Sequence, residues 1–167
     1  VSGRGRGYTR HGGRAVGLSG KEANLITGDP ADPALGLVGD PNDVDPAILR
    51  TLFSDDTIPV IAPLGSGRNG ETYNINGDTA AGAVAAALKA DRLLLLTDVD
   101  GVKDPDGNVL TELTATQIHD MIRDGVIAGG MIPKTGTALN AIDGGVRAGV
   151  IIDGRAPNAV LLELFTE

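Results

Sequence analysis

The segment TAAGAVAAALKA (79–90), followed after Asp91 by RLLLLT (92–97) and DVDGV (98–102), decides the fold class. The first piece is helix-forming and almost all small, so its backbone can lie close against a sheet. The second is an apolar run of strand length without polar alternation, the mark of a strand covered on both faces, as in parallel sheets. An acidic, Gly-containing turn then begins directly where that strand ends. Working outward, Ile58–Ala62 (IPVIA) and Gly149–Asp153 (GVIID) repeat the short apolar run.

The remaining segments fit between these strands. Arg14–Ser19 is predicted as a strand. Asn24–Thr27 and Leu35–Gly39 are predicted to form a hairpin or ribbon around the acidic, Pro-containing turn 28–34. Asp45 caps a helix with Pro46 at its first position, continuing through Ile48, Leu49 and Leu52. Residues 63–78 read as a polar loop, and 103–108 (KDPDGN) as a turn with Asp106-Gly107 as the hairpin signal. Thr114 with Gln117 forms a capping-box pattern for a helix to Arg123. Pro133 begins a helix to Gly144, and Pro157–Thr166 is a last helix. Apolar strands alternating with helices predict an α/β protein, a three-layer α/β/α sandwich around a mainly parallel sheet.

Composition narrows the chemistry. The chain has 167 residues, 41% hydrophobic and 22% charged, enough for a globular core. Aromatics are 2% with no Trp, which argues against base-stacking platforms. The net charge of −8 opposes a phosphate backbone, so no nucleic-acid partner is expected. The first seven residues, VSGRGRG, therefore read as a flexible start and not as a nucleic-acid arm. With no Cys, disulfides, thiolate metal sites and Cys nucleophiles are excluded. Two His, His11 and His119, do not make a metal cage. No apolar run reaches membrane length and no signal peptide is evident, so a cytoplasmic protein without a membrane partner is expected.

Single motifs fail when tested. Gly65-Ser66-Gly67-Arg68-Asn69-Gly70 matches G-x-G-x-x-G, but Glu71-Thr72-Tyr73 follows where the dinucleotide fingerprint requires a helix. No P-loop pattern occurs. Asp104-Pro-Asp-Gly-Asn108 resembles a calcium loop, yet its twelfth position is Ala115 where a bidentate Glu is needed.

Three segments remain: Tyr73-Asn-Ile-Asn-Gly-Asp78 before the small-residue helix, Thr97-Asp-Val-Asp-Gly-Val102 after the RLLLL strand, and Gly129-Gly-Met-Ile-Pro-Lys134 entering the next helix. Ligands in open α/β sheets bind outside the carboxyl ends of the strands, where such loops gather. Singly, each has an ordinary explanation. Asn74 and Asn76 suit Asx-turns, Asp78 a helix cap, Asp98 and Asp100 turn caps, and Lys134 an exposed surface. Together they supply an amide, carboxylates and an ammonium, the groups that position and neutralise a transferring phosphoryl.

These segments in this order, YNINGD, TAAGAVAAALKADRLLLLTDVDGV, GVIAGGMIPK and IIDGRAPNAVLLELFTE, resemble the C-terminal half of acetylglutamate kinases, within the amino acid kinase superfamily. HGGRAVGLSGKEANLI and IPVIAPLGSGRNGETYNIN resemble the middle of the same enzymes, so the similarity runs from about His11 to the end. The resemblance implies ATP-dependent phosphorylation of the side-chain carboxylate of N-acetyl-L-glutamate in arginine biosynthesis. By matching position, Asn74 would bind acetylglutamate, Lys134 would stabilise the transferring phosphoryl, and Asp78 would orient that lysine. Asp98, Val99, Asp100, Gly101, Val102 and Lys103 would line the ATP site, with Val126, Ile127 and Ala128 beside the nucleotide. Mg²⁺ would arrive with ATP and no protein-bound metal is implied. A homo-oligomer is implied as well, with arginine feedback in the full-length protein.

The resemblance also sets expectations of difference. Family members carry a Lys-containing K-x-G-G strand–loop and a second Gly-rich loop upstream, and Val1–Arg10 matches neither. The chain is expected to be incomplete at both ends, lacking the second transition-state lysine. Its parts would be an atypical start over 1–10, a central part completing the acetylglutamate side over 11–78, and a nucleotide-binding part over 79–167. Gly77 stands where the family usually has Ala, Thr135-Gly136 where it has Val-Glu, and Asn158 where it has His. Two alternatives stay open: a non-catalytic nucleotide-binding or subunit-interaction module, and a kinase with another acceptor such as aspartate or carbamate.

Overall fold

The computed structural model describes residues 12–165. The Gly/Arg-rich start over 1–10, His11, and the last two residues, Thr166 and Glu167, lie outside the described residues. The chain forms two compact units, the first ending at Leu88 and the second beginning at Lys89. Helices and mainly parallel strands alternate along it in the α/β arrangement expected from the apolar runs.

In the first unit β1 (Arg14–Ser19) pairs in parallel with β4 (Thr57–Ala62), in register from Arg14 opposite Thr57 to Ser19 opposite Ala62. Between them run β2 (Ile26–Pro30), β3 (Val38–Val44) and helix α1 (Ala47–Phe53). After β4 come β5 (Leu64–Ser66), β6 (Thr72–Ile75) and helix α2 (Gly77–Leu88). Strands β2, β3, β6 and β5 close into a small four-stranded ring, antiparallel within β2/β3 and β5/β6 and parallel where the two hairpins meet. Leu18, Leu25, Ile26, Leu49, Tyr73 and Ile75 are buried together, and Ala80 of α2 joins them. Burying one such aliphatic side chain contributes about 1.5–3 kcal/mol relative to exposure.

Several sequence expectations are corrected here. Residues 63–78 are not a loop throughout: they hold the β5/β6 hairpin and the first turn of α2. The turn residues of GSGRNG masked a period-two pattern, in which Tyr73 and Ile75 point into the core and Asn74 points out. The β2/β3 ribbon is antiparallel as predicted, but its strands begin later in the chain than 24 and 35. Leu35 and Leu37 are each 59% exposed, and Asp32 accepts a hydrogen bond from the Ala34 N–H to tie that segment into a tight turn. Helix α1 begins at Ala47 with Pro46 as its N-cap, one residue later than predicted, while the Asp45 carboxylate just before it accepts from the Ala47 N–H.

The second unit holds β7 (Arg92–Thr97), helix α3 (Ala115–Arg123), helix α4 (Met131–Asp143), β8 (Ala148–Asp153) and helix α5 (Ala159–Phe165). Strands β7 and β8 are parallel and in register from Arg92 opposite Ala148 to Thr97 opposite Asp153. The capping box of α3 is present as read: the Thr114 hydroxyl accepts from the Gln117 N–H, and the Gln117 side chain accepts from the Thr114 N–H. Helix α4 approaches β8 closely, because a Cβ on Gly149 would lie 2.9 Å from the Ala138 Cβ. On β7, Leu93 and Leu95 are buried, whereas Leu96 is 50% exposed. On β4, Ile58 is 46% exposed. Every residue of β8 is half-buried on both faces.

Candidate functional site

Each unit carries part of the predicted constellation. In the first, Asn74 stands on β6, hydrogen-bonded through its backbone N–H to the Leu37 carbonyl at 2.8 Å, with its side chain on the exposed face. Two residues later Asn76 does the capping expected of Asp78. Its side-chain oxygen accepts from the N–H groups of Asp78 (2.9 Å) and Thr79 (3.2 Å). An Asn oxygen satisfies orphan N–H donors at a helix start. Asp78 thus lies inside the first turn of α2, where a carboxylate is favoured by the helix dipole. A Cβ on Gly77 would meet nothing within 4 Å, so an Ala fits there sterically.

In the second unit, the segment 98–103 follows the carboxyl end of β7. The Asp98 carboxylate accepts from the Thr97 hydroxyl at 3.2 Å, and Asp100 pairs with Lys103 at 2.9 Å. Gly101 adopts φ of 140° and is buried beside Val109 and the Ile151 carbonyl, a conformation that L side chains rarely take. Val102 is buried in one apolar cluster with Ile118 and Ile127, against which Met131 packs. The Val126 and Ile127 N–H groups both donate to the Met121 carbonyl. Of the nucleotide-binding candidates, Val102 and Ile127 are thereby brought together, next to the start of α4. Val99 and Ala128 remain exposed.

Lys134 lies in the first turn of α4 and is half-buried. That helix starts at Met131, two residues before the predicted Pro133, because the Met131 and Ile132 N–H groups already close turns onto the Ala128 and Gly129 carbonyls. Thr135 is 1% exposed, and its hydroxyl donates within the helix to the carbonyls of Met131 and Ile132, both at 3.0 Å. The buried hydroxyl is thus satisfied. Asn158 adopts φ of 60°, a left-handed conformation that Asn and His tolerate better than most residues.

The sequence reading missed the carboxyl end of β8. Asp153 ends that strand opposite Thr97, and Arg155 donates through Nε and one Nη to the two Asp153 oxygens, each at 2.9 Å. The guanidinium holds the Asp153 carboxyl below its ordinary range, mainly through the side-chain hydrogen bond. The signal was present in IIDGR, a strand ending in an Asp–x–Arg turn. A separate cavity of about 380 Å³ lies between α3, α4 and β8, lined by Val102, Ile118, Thr135, Ala138, Leu139 and Ile151 among others. It reaches Val102 but none of the charged candidates. Among the described residues no group of three His, Asp or Glu side chains is arranged to hold a metal ion, and no helix is long and apolar enough to cross a membrane.

The amino acid kinase family matches residues 8–153. An acetylglutamate kinase of Jannaschia sp. (strain CCS1) is 72% identical over 93% of this chain, which covers 55% of that relative. The crystal structure of smu.665 from Streptococcus mutans UA159 superposes with a TM-score of 0.80 at 34% identity, over 89% of this chain and 60% of that one. N-acetylglutamate synthase from Neisseria gonorrhoeae, complexed with coenzyme A and N-acetyl-glutamate, gives 0.81 at 30% identity, over 92% of this chain and 36% of that one. The chain spans about half the length of the curated relatives it matches. From Gly-rich turns to strand-end carboxylates, it belongs to the amino acid kinase family.

Proposed function

We propose that this chain serves in the transfer of the γ-phosphoryl group of ATP to the side-chain carboxylate of N-acetyl-L-glutamate, a step of arginine biosynthesis. The observation that supports this most is the meeting of Val102 and Ile127 in one cluster beside the helix start that carries Lys134. The 72% identity to an acetylglutamate kinase supports the choice of acceptor.

The chemistry asks little of a base. The acceptor carboxylate is ionised at neutral pH, so one of its oxygens attacks the γ-phosphorus directly. A carboxylate O–P bond forms, the bond from the γ-phosphorus to the bridging oxygen breaks, and ADP leaves with that electron pair. Magnesium enters as part of the nucleotide substrate and offsets charge on its phosphates. The remaining barrier is the approach of two anions, which oriented cations and amides lower. In this reading Lys134 carries the charge-stabilising ammonium, Asp78 is the second catalytic residue, and Asn74 holds the acceptor. Asp98–Lys103 and Val126–Ala128 line the nucleotide. The product is an acyl phosphate.

The test is incubation of the purified protein with MgATP, acetylglutamate and hydroxylamine, which captures acyl phosphates as hydroxamates. Hydroxamate formation with acetylglutamate, and not with aspartate or bicarbonate plus ammonia, is the expected result. Nucleotide binding without hydroxamate would favour a non-catalytic binding module and overturn the proposal. Turnover of another acceptor would overturn the choice of substrate.

A further inference from the structure

We propose that Arg155 is a nucleotide-positioning residue, which neutralises the carboxylates at the ends of β7 and β8 so that an anionic nucleoside triphosphate can settle there. The inference rests on the nucleotide reading of the 98–103 segment. It adds a residue outside every segment so far placed at that site.

The geometry begins with the strand pair. Thr97 and Asp153 end β7 and β8 opposite one another, and the Gly154 N–H donates to the Thr97 carbonyl at 2.8 Å. This bond ties the turn carrying Arg155 to the residue from which the 98–103 segment departs. Within the turn, Asp153 accepts from the Arg155 backbone N–H at 2.9 Å and from the two side-chain nitrogens. The pair is planar and bidentate, an arrangement that fixes direction as well as distance. Asp153 is well covered, its side chain 18% exposed, while that of Arg155 is 67% exposed. The carboxylate is the anchor, and the guanidinium is the part presented outward.

Charge explains why the anchor is needed. The strand ends carry Asp98, Asp100 and Asp153, answered by Lys103 and Arg155. The Arg155 guanidinium is held in its charged form first by its hydrogen bond to Asp153, with Asp98 and Asp100 adding to the field. Without Arg155, three carboxylates would face the phosphates with one lysine, itself engaged by Asp100. Two of the five guanidinium donors go to Asp153, and Nη1 lies outside that pair. Arg155 therefore keeps an outward donor edge while its orientation is already fixed.

The test is MgATP titration of the purified protein, followed by calorimetry, with Arg155→Gln, Arg155→Lys, and Arg155→Gln combined with Asp100→Asn. Arg155→Gln is expected to weaken MgATP binding by about tenfold, on the scale of field effects in charged clefts. Acetylglutamate binding should stay unchanged. Arg155→Lys, which keeps the charge but loses the fork, should fall between the parent and Arg155→Gln, and adding Asp100→Asn to Arg155→Gln should recover most of the loss. Affinity for MgATP unchanged in Arg155→Gln would overturn the inference. So would an equal loss in Arg155→Lys that Asp100→Asn does not recover, since that pattern marks a merely structural arginine. A parent protein that binds no MgATP would instead overturn the nucleotide reading itself.

Discussion

The first unit sets its candidate residues on a strand and a helix start, the second on turns and strand ends apart from Lys134 in the first turn of α4. Asn74 is fixed by the alternation of β6, and Asp78 by the Asn76 cap of α2. In the second unit, Asp98, Asp100 and Lys103 follow the end of β7, and Lys134 follows a Gly-Gly turn closed by backbone bonds alone. The contrast teaches that one side is held by side-chain capping and strand pairing, the other by glycine conformations and ion pairs. Substitutions should therefore hurt the two units in different ways.

The largest expected effect is chemical. On the proposed reading, Lys134→Ala should slow phosphoryl transfer by about a hundredfold or more, with the melting temperature little changed. Rate retention within a few-fold would remove Lys134 from the mechanism. Asn74→Ala, on the exposed face of β6, should raise the acetylglutamate KM more than the ATP KM. Equal rises would contradict its assignment to the acceptor.

Stability effects come next and separate two glycines near one helix. Gly149→Ala forces a methyl against Ala138 and should destabilise by about 1–3 kcal/mol, as overpacking does. Gly136→Ala meets nothing within 4 Å inside α4 and should stabilise by about 0.5–1 kcal/mol. Denaturant titration of both checks the pair, and equal signs would refute the close approach of α4 to β8. Asn76→Ala should cost about 1 kcal/mol through the lost cap of α2. The smallest effect concerns the turn 103–108. Hydrogen bonds from Asn108, the side-chain amide first, lower the Asp104 carboxyl from its ordinary 3.8. The ordering it gives is complete above the ordinary value and is lost as pH falls through the lowered one. Amide chemical shifts of Asp106 and Asn108 should move only in that acidic window.

Much of this architecture was legible. The runs RLLLLT, IPVIA and GVIID mark strands, and the Thr114–Gln117 box marks the start of α3, because local hydrogen bonding and hydrophobicity are written in adjacent residues. The β5/β6 hairpin was not, since Gly and Asn outweighed a four-residue alternation. Nor was the cap of α2: Asn76 and Asp78 are both good caps, and only the backbone path chooses between them. The nucleotide-side residues came from family resemblance, because nothing local to Val126–Ala128 distinguishes a ligand loop from a turn. Arg155 escaped for a related reason, as its partners become its neighbours only when β7 and β8 pair.

The most direct test is a double-mutant cycle on single-turnover phosphoryl transfer, with Lys134→Ala, Asp78→Asn and both together. If Asp78 and Lys134 serve one and the same function in the step, the double variant should be no slower than Lys134→Ala alone, with Asp78→Asn between it and the parent. Losses that multiply in the double variant would show the two residues working independently and would contradict the account.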